Sequence, residues 1–305
     1  MIHVIDVFAH ILPPQFLQQM LNVVPHVLEG QNSWMHNELL TDLNSRKSTI
    51  LPNHQEILSV VNLNPEDFMG PQASLQLCYQ LNQELIEIVN QNSNFFPAAV
   101  AAVPMNNIEG ACKLIQEQVK PSKELAGIQL FTRALNQAIT VPEYEPLFTL
   151  MNQIQKPIWL HPVFDSRKPD NNMTFSWEYE LTLAMNQIVA ADYFKKYPNL
   201  RIIVHHAGAM VPTFSERIRY IQGSDHYEQF RHFYVDTALL GNSLALELTV
   251  EFFSSQHVLF GTDTPLGIPP VGPTSQIEEA LMQSNLQPAV LQQIFRDNWF
   301  KLIKN

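Results

Sequence analysis

Histidines and aspartates that close short apolar runs are the residues through which this chain could do chemistry. The run His3-Val4-Ile5-Asp6-Val7-Phe8-Ala9-His10 ends in one histidine and Pro157–His161 ends in another. Arg201–His205 ends in an adjacent pair, His205 and His206; Asp236 lies near the end of Phe233–Thr237, and Asp263 follows His257–Thr262. Neutral imidazoles with a carboxylate are the usual ligands of zinc and similar divalent ions. As a set, His10, His161 and Asp263 would supply three protein ligands and leave a position for water or substrate, which suits a catalytic site. A water bound there would become a nucleophile, whereas a substrate oxygen would be polarised, and both chemistries stay open. Taken singly, a histidine at a strand end is equally a capping residue, and Asp236 equally the holder of a loop or helix start. Residues two apart on a strand share a face, so Asp6, Phe8 and His10 are expected in one row. Phe8 stands where a His-x-His would place a second imidazole.

Positioning these groups requires their strand ends to converge. Eight β-branched-rich runs recur along the chain: Ile2–Val7, Ile57–Asn62, Ala98–Val103, Gly127–Phe131, Pro157–His161, Arg201–His205, Phe233–Thr237 and His257–Thr262. Near-continuous hydrophobicity marks parallel strands covered on both faces. Helical stripes lie between most of them, as in Ala73–Asn90, Ile108–Val119, Val141–Gln153 and Glu178–Lys196. The alternation predicts an α/β fold, a (β/α)8 TIM barrel in which strand carboxyl ends share one mouth. No glycine-rich dinucleotide turn follows any run, which disfavours an open doubly wound sheet. The connection from residue 13 to residue 55 is long for a barrel loop and is expected to cover the mouth as a lid-like insertion. One domain over residues 1–305 is expected.

Composition narrows the partners. The chain has 305 residues, 46% hydrophobic and 15% charged, as expected of a globular protein with a large core. Its formal charge of −11, from 18 basic and 29 acidic residues, lacks the basic face that nucleic acid requires. No apolar run is long enough to span a bilayer. The first basic residue is Arg46, so a secretory signal is not expected, and a cytoplasmic setting is. Cys78 and Cys112 are expected as buried free thiols.

Several stretches together resemble the amidohydrolase-related branch of the amidohydrolase superfamily. Asp6-Val7-Phe8-Ala9-His10 is similar to its Asp-x-His-x-His, and Pro157–Pro162 to its fifth strand with a metal-binding histidine. Ala126–Leu130 is similar to its fourth strand. Tyr197–Leu200 followed by His206–Pro212 resembles its sixth block, and Gly261–Pro265 its eighth. That branch includes aminocarboxymuconate-semialdehyde decarboxylase and gamma-resorcylate decarboxylase. The resemblance implies a divalent ion, zinc ahead of manganese, on His10, His161 and Asp263. Counted back from Pro212, His206 takes the place of the active-site histidine that handles water or a proton, with His205 turned away as a packing residue. Glu180 matches an acidic position before the sixth strand, and Arg46 in the insertion would orient a substrate acid. The implied reaction is non-oxidative decarboxylation of an aromatic or unsaturated carboxylic acid. Alternatives are hydrolysis of a lactone, ester or amide by metal-activated water, and an inactive homologue whose site is degraded by Phe8. Relatives in this branch are often homo-oligomers.

Overall fold

Residues 3–163 and 172–304 are described by the computed structural model. Seven apolar runs form one parallel sheet: β1 Val4–Ile11, β2 His54–Val60, β3 Ala98–Ala101, β4 Leu125–Phe131, β5 Ile158–His161, β6 Ile202–Val204 and β7 Tyr234–Val235, neighbours in that order. Ile2, expected to open the first strand, lies outside the described residues. The eighth expected strand makes isolated bridges rather than a ladder, Val258 with Val235 and Thr264 with Ala9. Leu259 N donates to Val235 O at 2.8 Å, and Val7 N donates to Phe260 O at 2.8 Å. The sheet is therefore curled, with both edge strands bonded to one run.

The helices are α1 Pro14–Val23, α2 Leu43–Thr49, α3 Pro71–Gln91, α4 Ile108–Leu114, α5 Glu145–Ile154 and α6 Ser176–Ala190, followed by shorter ones and by Ser243–Phe253 and Thr274–Gln283. In α3, proline at the first position costs no helical hydrogen bond, and Leu77, Leu81, Leu85 and Ile88 form the buried stripe. Apolar residues consequently divide into two cores. One lies between sheet and helices. The other fills the curl with Ile5, Val7, Phe8, Ile57, Val100, Trp159, Ile203 and Leu259. Trp159 fits because Gly127 faces it: a Cβ there would stand 2.8 Å from the indole and 2.0 Å from Pro157 O. The indole Nε1 donates to Val7 O at 2.8 Å.

All eight residues of β1 are buried. Of the expected row of Asp6, Phe8 and His10, only Phe8 and His10 stay together, ring centroids 6.0 Å apart, because the ladder to β2 shifts register between Asp6 and Ala9. Such a bulge breaks the two-residue alternation. It puts Val7 and Phe8 together in the inner core, while the Asp6 carboxylate accepts from Phe8 N and from Thr262 N and Oγ1. Both cysteines are free, Cys78 buried as expected and Cys112 only half-buried. Among the described residues, no helix is long and apolar enough to cross a membrane.

Glu66, in the turn Pro65–Asp67 after β2, is a buried acid outside the strand-end cluster. Burial pushes its carboxyl up to about 7. A carboxyl that binds its proton more tightly when folded stabilises the fold fully below its unfolded value, near 4.5, and loses that contribution as pH rises through about 7. Unfolding stability should therefore fall by about 3 kcal/mol across this window through Glu66. Urea titrations at pH 5 and pH 8 are expected to differ less in Glu66→Gln than in the parent. An unchanged difference would remove Glu66 as the cause.

Candidate functional site

The carboxyl ends of β1, β5 and β6 and the run 257–264 bring His10, His161, His205 and Asp263 together, with one donor atom from each lying within 4.8 Å of the others. His10 Nε2 is 3.0 Å from Asp263 Oδ1, and His205 Nε2 is 3.4 Å from the same oxygen. The Nε2 atoms of His10 and His161 are 3.3 Å apart. His10, His161 and Asp263 were expected here; His205 was expected to pack elsewhere.

The displaced expectation has a local cause. β6 ends at Val204, so strand alternation no longer governs the two histidines after it. His205 keeps an extended backbone (φ −68°, ψ 165°) and points its ring at the cluster. His206, Ala207 and Ala209 then take φ of 53°, 55° and 55°, and Gly208 takes 75°. This left-handed turn carries His206 away from the other donors. Its Nδ1 sits 2.6 Å from Glu178 Oε1 at the start of α6, and its ring lies 6.3 Å from that of Trp177. Asp236 holds the loop after β6 and more. It accepts from Ala207 N at 2.8 Å and Ala238 N at 3.0 Å, and its other oxygen holds His205 Nδ1.

Each imidazole of the cluster is oriented through its far nitrogen. His161 Nδ1 donates to Pro162 O at 2.7 Å, His205 Nδ1 faces Asp236, and His10 Nδ1 is 3.1 Å from Ser59 Oγ. With its proton on Nδ1, a neutral ring would offer the lone pair of Nε2 to a cation. These lone pairs converge in a buried space, and His205 Nε2 has no aligned hydrogen-bond partner among the described residues. Converging lone pairs repel unless a cation sits between them. Second partners of this kind also fix the tautomer in metal-binding histidines. The donor set therefore fits a divalent ion.

The electrostatics agree with the geometry. Burial, with His10 and His205 nearby, holds His161 well below its ordinary value, so it stays neutral. Burial likewise lowers His10, although Asp263 opposes the shift. For His205 burial works against charge, but Asp236 and Asp263 prevail and push it up to about 10. Asp263 is partly desolvated, yet hydrogen bonds and charge from His10 and His205 hold it well below the usual carboxylate range. The two aspartates thus hold positive charge between them as the His205 imidazolium, whose Nε2 proton a divalent ion would replace.

Phe8 stacks on His205, with ring centroids 4.0 Å apart and planes 18° apart, filling the flank of the cluster. Two further candidate residues lie outside the donor cluster. Arg46 is not presented to a substrate: it is 2% exposed, with Nε 2.9 Å from Glu56 Oε2 and Nη2 donating to Thr264 O. From α2 its side chain turns inward to Glu56 on β2. Glu180 is also buried and pairs with Arg133 Nε at 2.9 Å, outside the donor cluster. Ser59 and Glu178 carried no signal of their own role, since each is meaningful only through the histidine it touches, and Asp236 was marked by its strand end but not by its partner His205.

A family model described as amidohydrolase matches residues 5–301. The chain is 22% identical to a 6-methylsalicylic acid decarboxylase of Penicillium expansum over 288 residues, covering 86% of this chain and 84% of the relative. The 5-carboxyvanillate decarboxylase LigW of Sphingomonas paucimobilis superposes with a TM-score of 0.86 at 16% identity, covering 100% of this chain and 99% of the other. A dihydroxybenzoic acid decarboxylase of Polaromonas sp. JS666, with bound manganese and the inhibitor 2-nitroresorcinol, gives 0.83 at 19% identity, covering 100% and 97%. At these identities the two structures establish a shared fold.

Proposed function

The chain belongs to the amidohydrolase family, and on that footing we propose that it is a metal-dependent carboxy-lyase that removes carbon dioxide from an aromatic or unsaturated carboxylic acid. The observation that carries the reading is the convergence of three pre-oriented imidazole Nε2 atoms on Asp263. His10, His161, His205 and Asp263 would hold one divalent ion. When bound, that ion supplies a Lewis-acid anchor for the oxygens of the acid. Four protein donors would complete a tetrahedral zinc shell, whereas six-coordinate manganese keeps positions for substrate, so manganese is the better fit. His205 makes good the donor that Phe8 lacks, which weighs against an inert site.

The remaining residues bind and protonate. Trp177, 5.8 Å from the His161 ring, and Phe131, 5.5 Å from it, supply apolar walls for a flat substrate. His206, held through Nδ1 by Glu178, has Nε2 available to deliver a proton to the carbon that loses the carboxylate. The run 257–264 would be the eighth strand of a (β/α)8 barrel, with residues 13–55 shaping its mouth. In support, Asn37 Nδ2 donates to Pro265 O at 3.0 Å, and Arg46 reaches Thr264 O. Two free cysteines suit a reducing, cytoplasmic setting. Adjacent exposed Tyr220 and Ile221 suit self-association.

The test incubates manganese-loaded protein with hydroxybenzoates and, separately, with lactones. Carbon dioxide should appear in step with loss of a hydroxybenzoate. Lactone opening without any carbon dioxide release would replace this reading with hydrolysis.

A further inference from the structure

Asp263 reaches the donor cluster from a backbone conformation that few residues other than glycine adopt. Its φ is 69°, in the left-handed region, whereas none of the three histidine donors has a positive φ. Aspartate enters that region more readily than most residues, yet the conformation is strained and persists only where its surroundings over-determine it. A return to negative φ would re-aim the Cα–Cβ bond and carry the carboxylate away from His10 and His205. Backbone bonds hold part of this turn. Asp263 N donates to Phe8 O at 2.9 Å, Leu266 N to Asp263 O at 2.9 Å, and His10 N to Thr264 O at 2.7 Å. The insertion over residues 13–55 holds the rest: Arg46 Nη2 donates to Thr264 O at 3.1 Å and Asn37 Nδ2 to Pro265 O at 3.0 Å.

Asn37 is fixed at both ends of its amide. Oδ1 accepts from Leu39 N at 3.0 Å, so a flip would set oxygen against oxygen at Pro265. Proline has no N–H, and its carbonyl is the one hydrogen-bonding group by which Pro265 can be held. Three residues beyond Asn37, Leu40 is buried and its carbonyl takes Leu12 N at 2.8 Å. Leu12 lies two residues past His10, and Pro265 two residues past Asp263. Residues 37–40 therefore bridge the two strand ends that carry His10 and Asp263. As a bare cap of the turn Glu38–Leu40, Asn37 would need no partner 228 residues away. We propose that the insertion clamps the metal site and that Asn37 is a positioning residue, which keeps Asp263 left-handed and thereby sets the affinity for the ion. This role presupposes that the four donors hold a divalent ion, as proposed above.

Metal-free protein is titrated calorimetrically with manganese, and its hydrogen exchange is followed by mass spectrometry in the peptide covering residues 263–268. Asn37→Ser keeps a capping acceptor for Leu39 N but is too short to reach Pro265. Asn37→Asp keeps size and cap and loses the donor. Both should weaken manganese binding about tenfold or more, the usual cost of losing an outer partner of a metal ligand. Exchange should quicken over 263–268, where Leu266 N is bonded to Asp263 O. The urea midpoint of the metal-free protein should stay close to wild type, because the strain released at Asp263 offsets the lost bond. Either variant carries the comparison should the other fail to fold. Wild-type affinity in both variants would overturn the proposal, whether or not the urea midpoint falls. Faster exchange in both variants of a protein that binds no manganese in any form would remove the metal reading and keep the clamp on Asp263.

Discussion

Manganese-loaded protein should retain about one ion per chain after gel filtration, and His205→Ala should lose it as completely as His161→Ala or Asp263→Ala. Removing one of four donors leaves three, and for His205 it also strands Asp236, whose carboxylate is fully buried. Metal affinity should fall by well over about 100-fold, beyond what loss of a supporting partner costs, with decarboxylation falling alongside it. His206→Ala provides the contrast. That side chain points to Glu178, so the variant should keep its ion and lose turnover. Elemental analysis of the purified variants decides the matter. An ion retained by His205→Ala and lost by His206→Ala would invert the assignment of the two histidines.

Arg46→Ala should destabilise the fold by about 3–5 kcal/mol, because it leaves the Glu56 carboxylate buried without its partner. The guanidinium is 2% exposed; besides Glu56 it bonds Thr264 O, adjacent to the donor Asp263. The loss should therefore be seen first in urea unfolding and only then, through a displaced Asp263, in metal retention. Replacing both charges, as in Arg46→Met with Glu56→Leu, should recover much of the stability, since well-packed apolar pairs often equal buried ion pairs. Wild-type stability in Arg46→Ala, with only KM for the acid raised, would return Arg46 to the substrate-orienting role expected from its place in the insertion.

Much of this protein was legible in its residues. Near-continuous apolar runs separated by helical stripes specified a parallel sheet, because a strand buried on both faces cannot tolerate polar alternation. Polar residues ending those runs marked the site, since His10, His161 and Asp263 have no reason to interrupt a core except at its edge. Those three converge as expected, and the amidohydrolase resemblance carried by the same blocks is matched over residues 5–301.

What the sequence could not decide lay where local geometry departs from an ideal element or where a partner is remote in the chain. The bulge between Asp6 and Ala9 changed which side chains of β1 share a face. The early end of β6 and the left-handed turn after it exchanged His205 and His206, a difference of one residue that reverses direction on a strand. Arg46 meets Glu56 and Thr264, Asp236 meets His205 across 31 residues, and Asn37 meets Pro265 across 228. Residue types and spacing record the period of a strand or helix, so they determined the elements and the donors at their ends. Pairings between elements depend on register and on where each strand stops, and these were set only when the sheet curled and its cores packed.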